Sequence, residues 1–176
     1  EFTAAGIGGI DLYAQAWLPG VAPRAVIVVS HGLAEHGGRY ETLAGELVQR
    51  GYAVYAVDHR GHGRSSGPRA NIERFAHLVA DFCAFTERCA GEHPATPVFM
   101  LGHSMGGAVA FASALRLQHM LRGLVLSAPA LAMDQPVSRL QEMFVRLLSV
   151  VAPGTGALAL PPDAVSRDPS VVARYA

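Results

Sequence analysis

Pro97-Val98-Phe99-Met100-Leu101-Gly102-His103-Ser104-Met105-Gly106-Gly107 is the stretch that decides the fold. It opens with a short apolar run of strand length and passes through G-x-S-x-G into a segment, 108–117, of helical character. A strand that turns sharply through this pentapeptide into a helix leaves the serine hydroxyl standing exposed at the sheet edge. The small residues Gly102, Gly106 and Gly107 let strand and helix backbones approach without Cβ clashes. The same string is compatible with a Gly-rich turn whose serine only caps the helix. Its position between a strand and a helix favours Ser104 as a nucleophile.

Outward from this point the chain alternates strand and helix. Strands are expected over 2–6, 10–18, 25–30, 52–57, 98–101 and 124–127, and helices over 40–50, 72–90 and 108–117. Gly8-Gly9 turns the first two strands into a hairpin. The segments 25–30 and 52–57 are continuous apolar runs, as strands buried on both faces require. Leu43 and Leu47 mark one face of the first helix, and Phe75, Leu78, Val79, Phe82 and Phe85 an apolar stripe on the second. This alternation predicts an α/β fold, a mainly parallel sheet with helices on both faces.

After Pro129 the pattern changes. Leu140, Met143, Phe144, Leu147, Leu148 and Val151 recur at helical spacing, and Pro153-Gly154 ends the run. A one-sided helix inserted after a strand reads as the start of a lid; it also fits a helix that simply covers the sheet. The division expected is a core over 1–133 and a partial cap over 134–176.

Composition sets the outer limits. The 176 residues, 51% of them hydrophobic, suit a globular chain, and 14 basic against 14 acidic residues give no net charge to attract nucleic acid. Cys83 and Cys89 stand six residues apart on a predicted helix, about 9 Å along its axis, too far for a disulfide. The eight histidines lack the spacing of a zinc site, so neither metal nor other cofactor is expected. With no membrane-length apolar run and no signal-peptide pattern, the expected location is cytoplasmic.

Three motifs, in order, carry a resemblance. His31-Gly32, Asp58-His59-Arg60-Gly61-His62-Gly63-Arg64-Ser65 and Gly102-His103-Ser104-Met105-Gly106-Gly107 resemble the α/β-hydrolase superfamily. The longer run through Glu35-His36 and Arg39-Tyr40 is similar to its monoacylglycerol lipase and lysophospholipase branch. The resemblance implies hydrolysis of an acyl ester through Ser104, with the backbone N–H groups of Leu33 and Met105 as the oxyanion hole. It places Glu35 and Arg39 near the alcohol end of the substrate, where they either hold a glycerol hydroxyl or pair with each other to fix the loop. It assigns Leu140, Met143, Phe144 and Leu147 to a cap whose apolar face forms the acyl tunnel or touches a lipid surface, and it makes His31 and His103 structural supports.

The same pattern requires an acid and a histidine after the serine. Downstream of Ser104 stand Asp134, Glu142, Asp163 and Asp168, none following a strand, and one histidine, His119, beyond the helix after the turn. The expectation is a front portion of an enzyme, its C-terminal strands, acid and base supplied by a separate chain or a missing segment. The other readings on the same scaffold are a peptidase, a thioesterase or a non-catalytic protein that binds an acyl ligand.

Overall fold

A computed structural model of the chain describes residues 1–72, 74–132, 167–169 and 172–173. The chain divides into two compact units, Glu1–Asp134 and Gln135–Ala176. Nearly all described residues belong to the first, and Leu140, Met143, Phe144 and Leu147 lie outside them.

Six strands build one sheet: β1 (Phe2–Ala5), β2 (Asp11–Trp17), β3 (Ala25–Ser30), β4 (Tyr52–Val57), β5 (Val98–His103) and β6 (Leu121–Ser127). Among the described residues three α-helices accompany them: α1 (Glu41–Gln49), α2 (Phe75–Gly91) and α3 (Met105–Arg116). The spatial order is β1-β2-β4-β3-β5-β6. β3 pairs in parallel with both β4 and β5, β5 with β6, and only the β1–β2 hairpin and its junction with β4 are antiparallel. The hairpin turn uses Gly8 and Gly9 at φ 76° and 79°, a backbone region that costs glycine little.

Side-chain alternation along β3 and β4 sorts the core onto two faces. Val26, Val28, Tyr55 and Val57 join Met100, Leu78 and Phe82 in a large cluster under α2 and α3. Val29, Val54 and Ala56 meet Ala44 of α1 in a small one on the opposite face. Burying each such valine or leucine contributes roughly 1.5–3 kcal/mol. Helices thus cover both faces, as the alternation predicts, but unevenly. β5 alternates buried and half-buried residues, and on its less covered face Leu101 packs at the margin of the small cluster.

Several details differ from the sequence pattern. α2 starts at Phe75, since Arg74 is extended (φ −146°, ψ 122°), and Ile72 packs on the core from the preceding loop. Phe75 itself is 43% exposed and leaves the apolar stripe. On α1 the seat is Ala44, and Leu43 is 40% exposed. α3 begins directly after Ser104, three residues earlier than expected, and β6 gains three residues at its start. Cys83 and Cys89 are free and buried, and burial pushes the Cys89 thiol well up, so it stays protonated.

One buried ion pair locks three segments. Asp81 of α2 accepts from Arg60 Nε at 2.7 Å and Nη2 at 2.9 Å, and from the Ile7 N–H at 2.7 Å, while Arg60 Nη2 also donates to the Ile7 carbonyl. The Asp81 side chain is only 3% exposed. Truncating it, Asp81→Ala, leaves a buried guanidinium without its partner and is expected to cost about 3–5 kcal/mol. The urea midpoint reads this directly; a midpoint equal to the parent's would mean the pair stabilises nothing.

Candidate active site

The chain order reverses at β3: β4 lies to one side and β5 to the other. In open α/β sheets a crevice forms at the carboxyl ends of the strands flanking such a point. Here those ends are Ser30, leading into His31-Gly32, and Gly102-His103, leading into Ser104, with Ser30 and Gly102 in register.

Ser104 is the single residue between β5 and α3, and it makes the turn at φ 53°, ψ −122°. A non-glycine residue held there stores about 1–3 kcal/mol of strain. The surroundings over-determine it. Its N–H donates to the Ser127 carbonyl at 3.0 Å, and its carbonyl accepts from Gly107 and from Ala130, both at 2.9 Å. A Cβ on Gly102 would come 2.5 Å from the Gly106 carbonyl oxygen and 2.7 Å from the Gly107 Cα. A Cβ on Gly106 would run into the carbonyls of Ser30 and His31, so the first turn of α3 rests against the end of β3.

The loop after β3 meets the turn from the other side. An added Cβ on Gly32 would lie 3.3 Å from the Ser104 Cβ. Among the described residues nothing accepts a hydrogen bond from the N–H of Leu33 or of Met105. Met105 opens α3, where the helix end carries partial positive charge. Two amides without an acceptor among the described residues thus lie on the two loops that meet at the serine, the kind of donor an anion-stabilising site uses.

Glu35 and Arg39 come together as an ion pair at 3.4 Å, with the arginine side chain 45% exposed and the glutamate 12%. The Glu35 Oε1 also accepts from the Gly32 N–H at 2.5 Å and the Tyr40 hydroxyl at 2.9 Å. Burial, with the Glu35 carboxylate beside it, pushes the Tyr40 phenol well up, which keeps it a donor. Sequence reasoning gave Tyr40 no role; the one signal was its place five residues after a glutamate on a tight loop. A groove of about 340 Å³ opens here, its lining mixing the polar Glu35, Arg39, His103 and Ser127 with the apolar Leu43, Leu101 and Val125.

The histidines brace this framework. His31 is fully buried; its Nδ1 lies 2.7 Å from the Gly32 carbonyl and its Nε2 accepts from the His59 N–H at 2.9 Å. His59 Nε2 bonds the Ser30 hydroxyl at 2.8 Å, and His103 Nδ1 the Ser127 carbonyl at 3.0 Å. His62 packs against His31, and its buried Nε2 has no partner among the described residues. Asp58 holds the two loops together by accepting from the N–H groups of Gly37 and Arg64. Among the described residues no group of three metal-ligating side chains occurs.

A mixed, mainly parallel sheet with a strained serine turn at its switch point defines an α/β-hydrolase. The family model described as serine aminopeptidase, S33, matches residues 21–176, and the chain belongs to that family. It is 42% identical over 175 residues to the monoacylglycerol lipase of Mycolicibacterium smegmatis, covering 99% of this chain and 62% of the relative. It is 36% identical over 168 residues to the human monoglyceride lipase, covering 95% and 55% respectively. The crystal structure of the Paleococcus ferrophilus monoacylglycerol lipase superposes with a TM-score of 0.77 at 31% identity, over 93% of this chain and 61% of that one. The chain thus spans between 55% and 62% of the length of these three proteins.

Burial lowers the His31 imidazole from 6.5 to about 4, and burial beside His31 and His62 also lowers His59 well below its ordinary value. Above pH 6.5 folded and unfolded chains bind equal protons at His31; between 6.5 and about 4 the unfolded chain binds more. Stability is therefore expected to fall as pH drops through that window, seen as a declining Tm. A Tm flat across it would contradict the neutral, buried imidazoles.

Proposed function

We propose that the protein carrying this chain is a serine carboxylic-ester hydrolase that cleaves monoacylglycerols, lysophospholipids or related acyl esters through an acyl-enzyme on Ser104. The observation that carries this reading is the strained backbone of Ser104, held at φ 53°, ψ −122° between β5 and α3 beside the Gly32 loop. The names of the monoacylglycerol lipase relatives support the substrate class.

In this reading the Ser104 Oγ gives its proton to the general base and attacks the ester carbonyl carbon, and the carbonyl oxygen becomes an oxyanion facing the two amides. Each such donor is worth ~3 kcal/mol in the transition state. Collapse expels the alcohol with a proton from the general acid and leaves the acyl group on Ser104; water then attacks to release the fatty acid. The Glu35–Arg39 loop meets the alcohol portion, where the half-exposed guanidinium can donate to a hydroxyl. The apolar residues Leu140, Met143, Phe144 and Leu147 take the acyl chain, with substrate drawn from a lipid surface.

The general base and its orienting acid lie outside the described residues in this scheme. His31 has both ring nitrogens engaged by backbone groups, His59 is buried on Ser30, and His103 Nδ1 is held at Ser127. His119 lies past the end of α3, and that 12-residue helix runs about 18 Å from Ser104.

The test uses the full-length protein with monoacylglycerols of graded chain length, lysophosphatidylcholine and an aminoacyl p-nitroanilide. Ester hydrolysis and fluorophosphonate labelling are expected, and Ser104→Ala should reduce turnover by about 10⁴-fold or more. Cleavage of the anilide alone would favour a peptidase. Acyl-ligand binding without labelling would favour a binding protein.

A further inference from the structure

The geometry points to the loop after β6, residues 128–131, as a positioning strap for the nucleophile. Seated on Gly107, it holds through the Ala130 N–H the peptide that joins Ser104 to Met105. The inference rests on the reading of Ser104 as nucleophile and deepens it.

The residue before a helix ordinarily takes extended dihedrals, and its carbonyl accepts the first bond of the helix. Ser104 stands instead at φ 53°, ψ −122°, outside the regions an L-residue prefers. The first turn of α3 does not enforce this. Its bonds from the Gly107 and Ala108 N–H groups to the Ser104 carbonyl, at 2.9 and 3.3 Å, are those any helix start can make.

Two further bonds come from outside the helix, both from one short segment. The Ser104 N–H donates to the Ser127 carbonyl at 3.0 Å, and the Ala130 N–H donates to the Ser104 carbonyl at 2.9 Å. The first fixes the peptide plane before Ser104 and the second the plane after it, because each peptide is rigid. With both planes held, φ and ψ of Ser104 are set together, and the serine cannot relax into an ordinary cap. The plane after Ser104 also carries the Met105 N–H. One loop therefore governs where the serine Cβ and that amide stand.

The strap is shaped to reach back to the turn. Ala128 takes φ 42°, a left-handed residue directly after β6. The Leu131 N–H closes on the Pro129 carbonyl at 2.9 Å, which keeps the loop tight around Ala130. Pro129, whose ring fixes its own φ, lies against α3. A Cβ on Gly107 would come 2.7 Å from the Pro129 Cβ and 2.8 Å from its Cα, whereas the Gly102 carbonyl oxygen would be 3.3 Å away. Gly107 is thus kept bare chiefly by the strap, as Gly106 is by the end of β3. The groups that hold Ser104 are backbone atoms, which no residue type announces.

Two substitutions at one position separate positioning from packing. Ala130→Pro deletes the donor, whereas Ala130→Gly keeps it and loosens the loop. In the full-length protein, Ala130→Pro is expected to lower kcat for a short p-nitrophenyl ester about 10- to 100-fold with KM within about twofold, the scale of a small misplacement of reacting groups. Ala130→Gly is expected to stay within about threefold of the parent's kcat although its Tm falls, because the N–H remains. Gly107→Ala, which must push Pro129 aside, is expected to reproduce the loss. The inference is overturned if Ala130→Pro or Gly107→Ala keeps the parent's kcat, or if Ala130→Gly falls as far as Ala130→Pro. Should Ala130→Pro fail to fold, hydrogen exchange in the parent decides. An Ala130 amide as protected as that of Ser104 supports the strap, and one that exchanges like an open loop overturns it. Ser104→Ala keeps the two readings apart. If that variant still hydrolyses the ester, the nucleophile reading falls and this inference with it. An inactive Ser104→Ala beside a fully active Ala130→Pro removes the strap alone.

Discussion

The first turn of α3 lies so close to the end of β3 that no Cβ fits at Gly106, where the carbonyls of Ser30 and His31 already stand. The rest of the site depends on that approach. A helix packed this tightly must begin immediately after its strand, which leaves one residue, Ser104, to reverse the chain at a backbone geometry costly for a side chain. The strain persists because Ser127, Gly107 and Ala130 all bond the Ser104 peptide groups. Loosen the packing and the serine would relax into an ordinary turn. The Met105 amide, which opens α3, would shift with it.

Around this turn the polar groups are divided by what they face. Those that hold loops are buried and already paired: His31 between two backbone groups, Asp58 across two loops, Asp81 with Arg60. Unpaired buried groups are costly, so each of these contacts over-determines a loop rather than adding much net stability. The donors left without partners among the described residues, the Leu33 and Met105 amides, are backbone groups fixed by that frame. In the proposed reading this is preorganisation in a physical sense, with the reorganisation needed to meet an oxyanion completed on folding.

How much of this could be read from residues alone follows from what pattern encodes. β3 and β4 were legible to the residue, because strands buried on both faces are apolar throughout and end where polarity returns. The Ser104 turn was legible because its glycines answer a steric demand that the strand and helix on either side already imply. Periodicity failed at Phe75 and Leu43, since it reports which side of a helix a residue occupies and not whether anything covers that side. Asp81 carries no signal in an apolar periodicity, although its spacing of three from Leu78 sets it on the buried face. The bonds from Glu35 to Gly32 and Tyr40 were out of reach, because they depend on the exact course of an irregular loop.

In the proposed reading the turn and its amides meet only a carbonyl carbon and its oxygen, atoms that esters, thioesters and amides share. They can make an acyl-transfer site, but they cannot choose among its substrates. Discrimination has to come from side chains that meet the leaving group or the acyl chain, and such side chains must be accessible before substrate arrives. Near Ser104 the buried set fails that condition. Leu33, 42% exposed, and Arg39, its side chain 45% exposed, meet it, as does the groove whose apolar wall is Leu43, Leu101 and Val125. Substitutions in the buried ring should therefore alter rate for every substrate alike. Substitutions at Leu33 or Arg39 should instead change the ratio between substrates, so that the proposed reading sets rate and selectivity on different layers of the same loop.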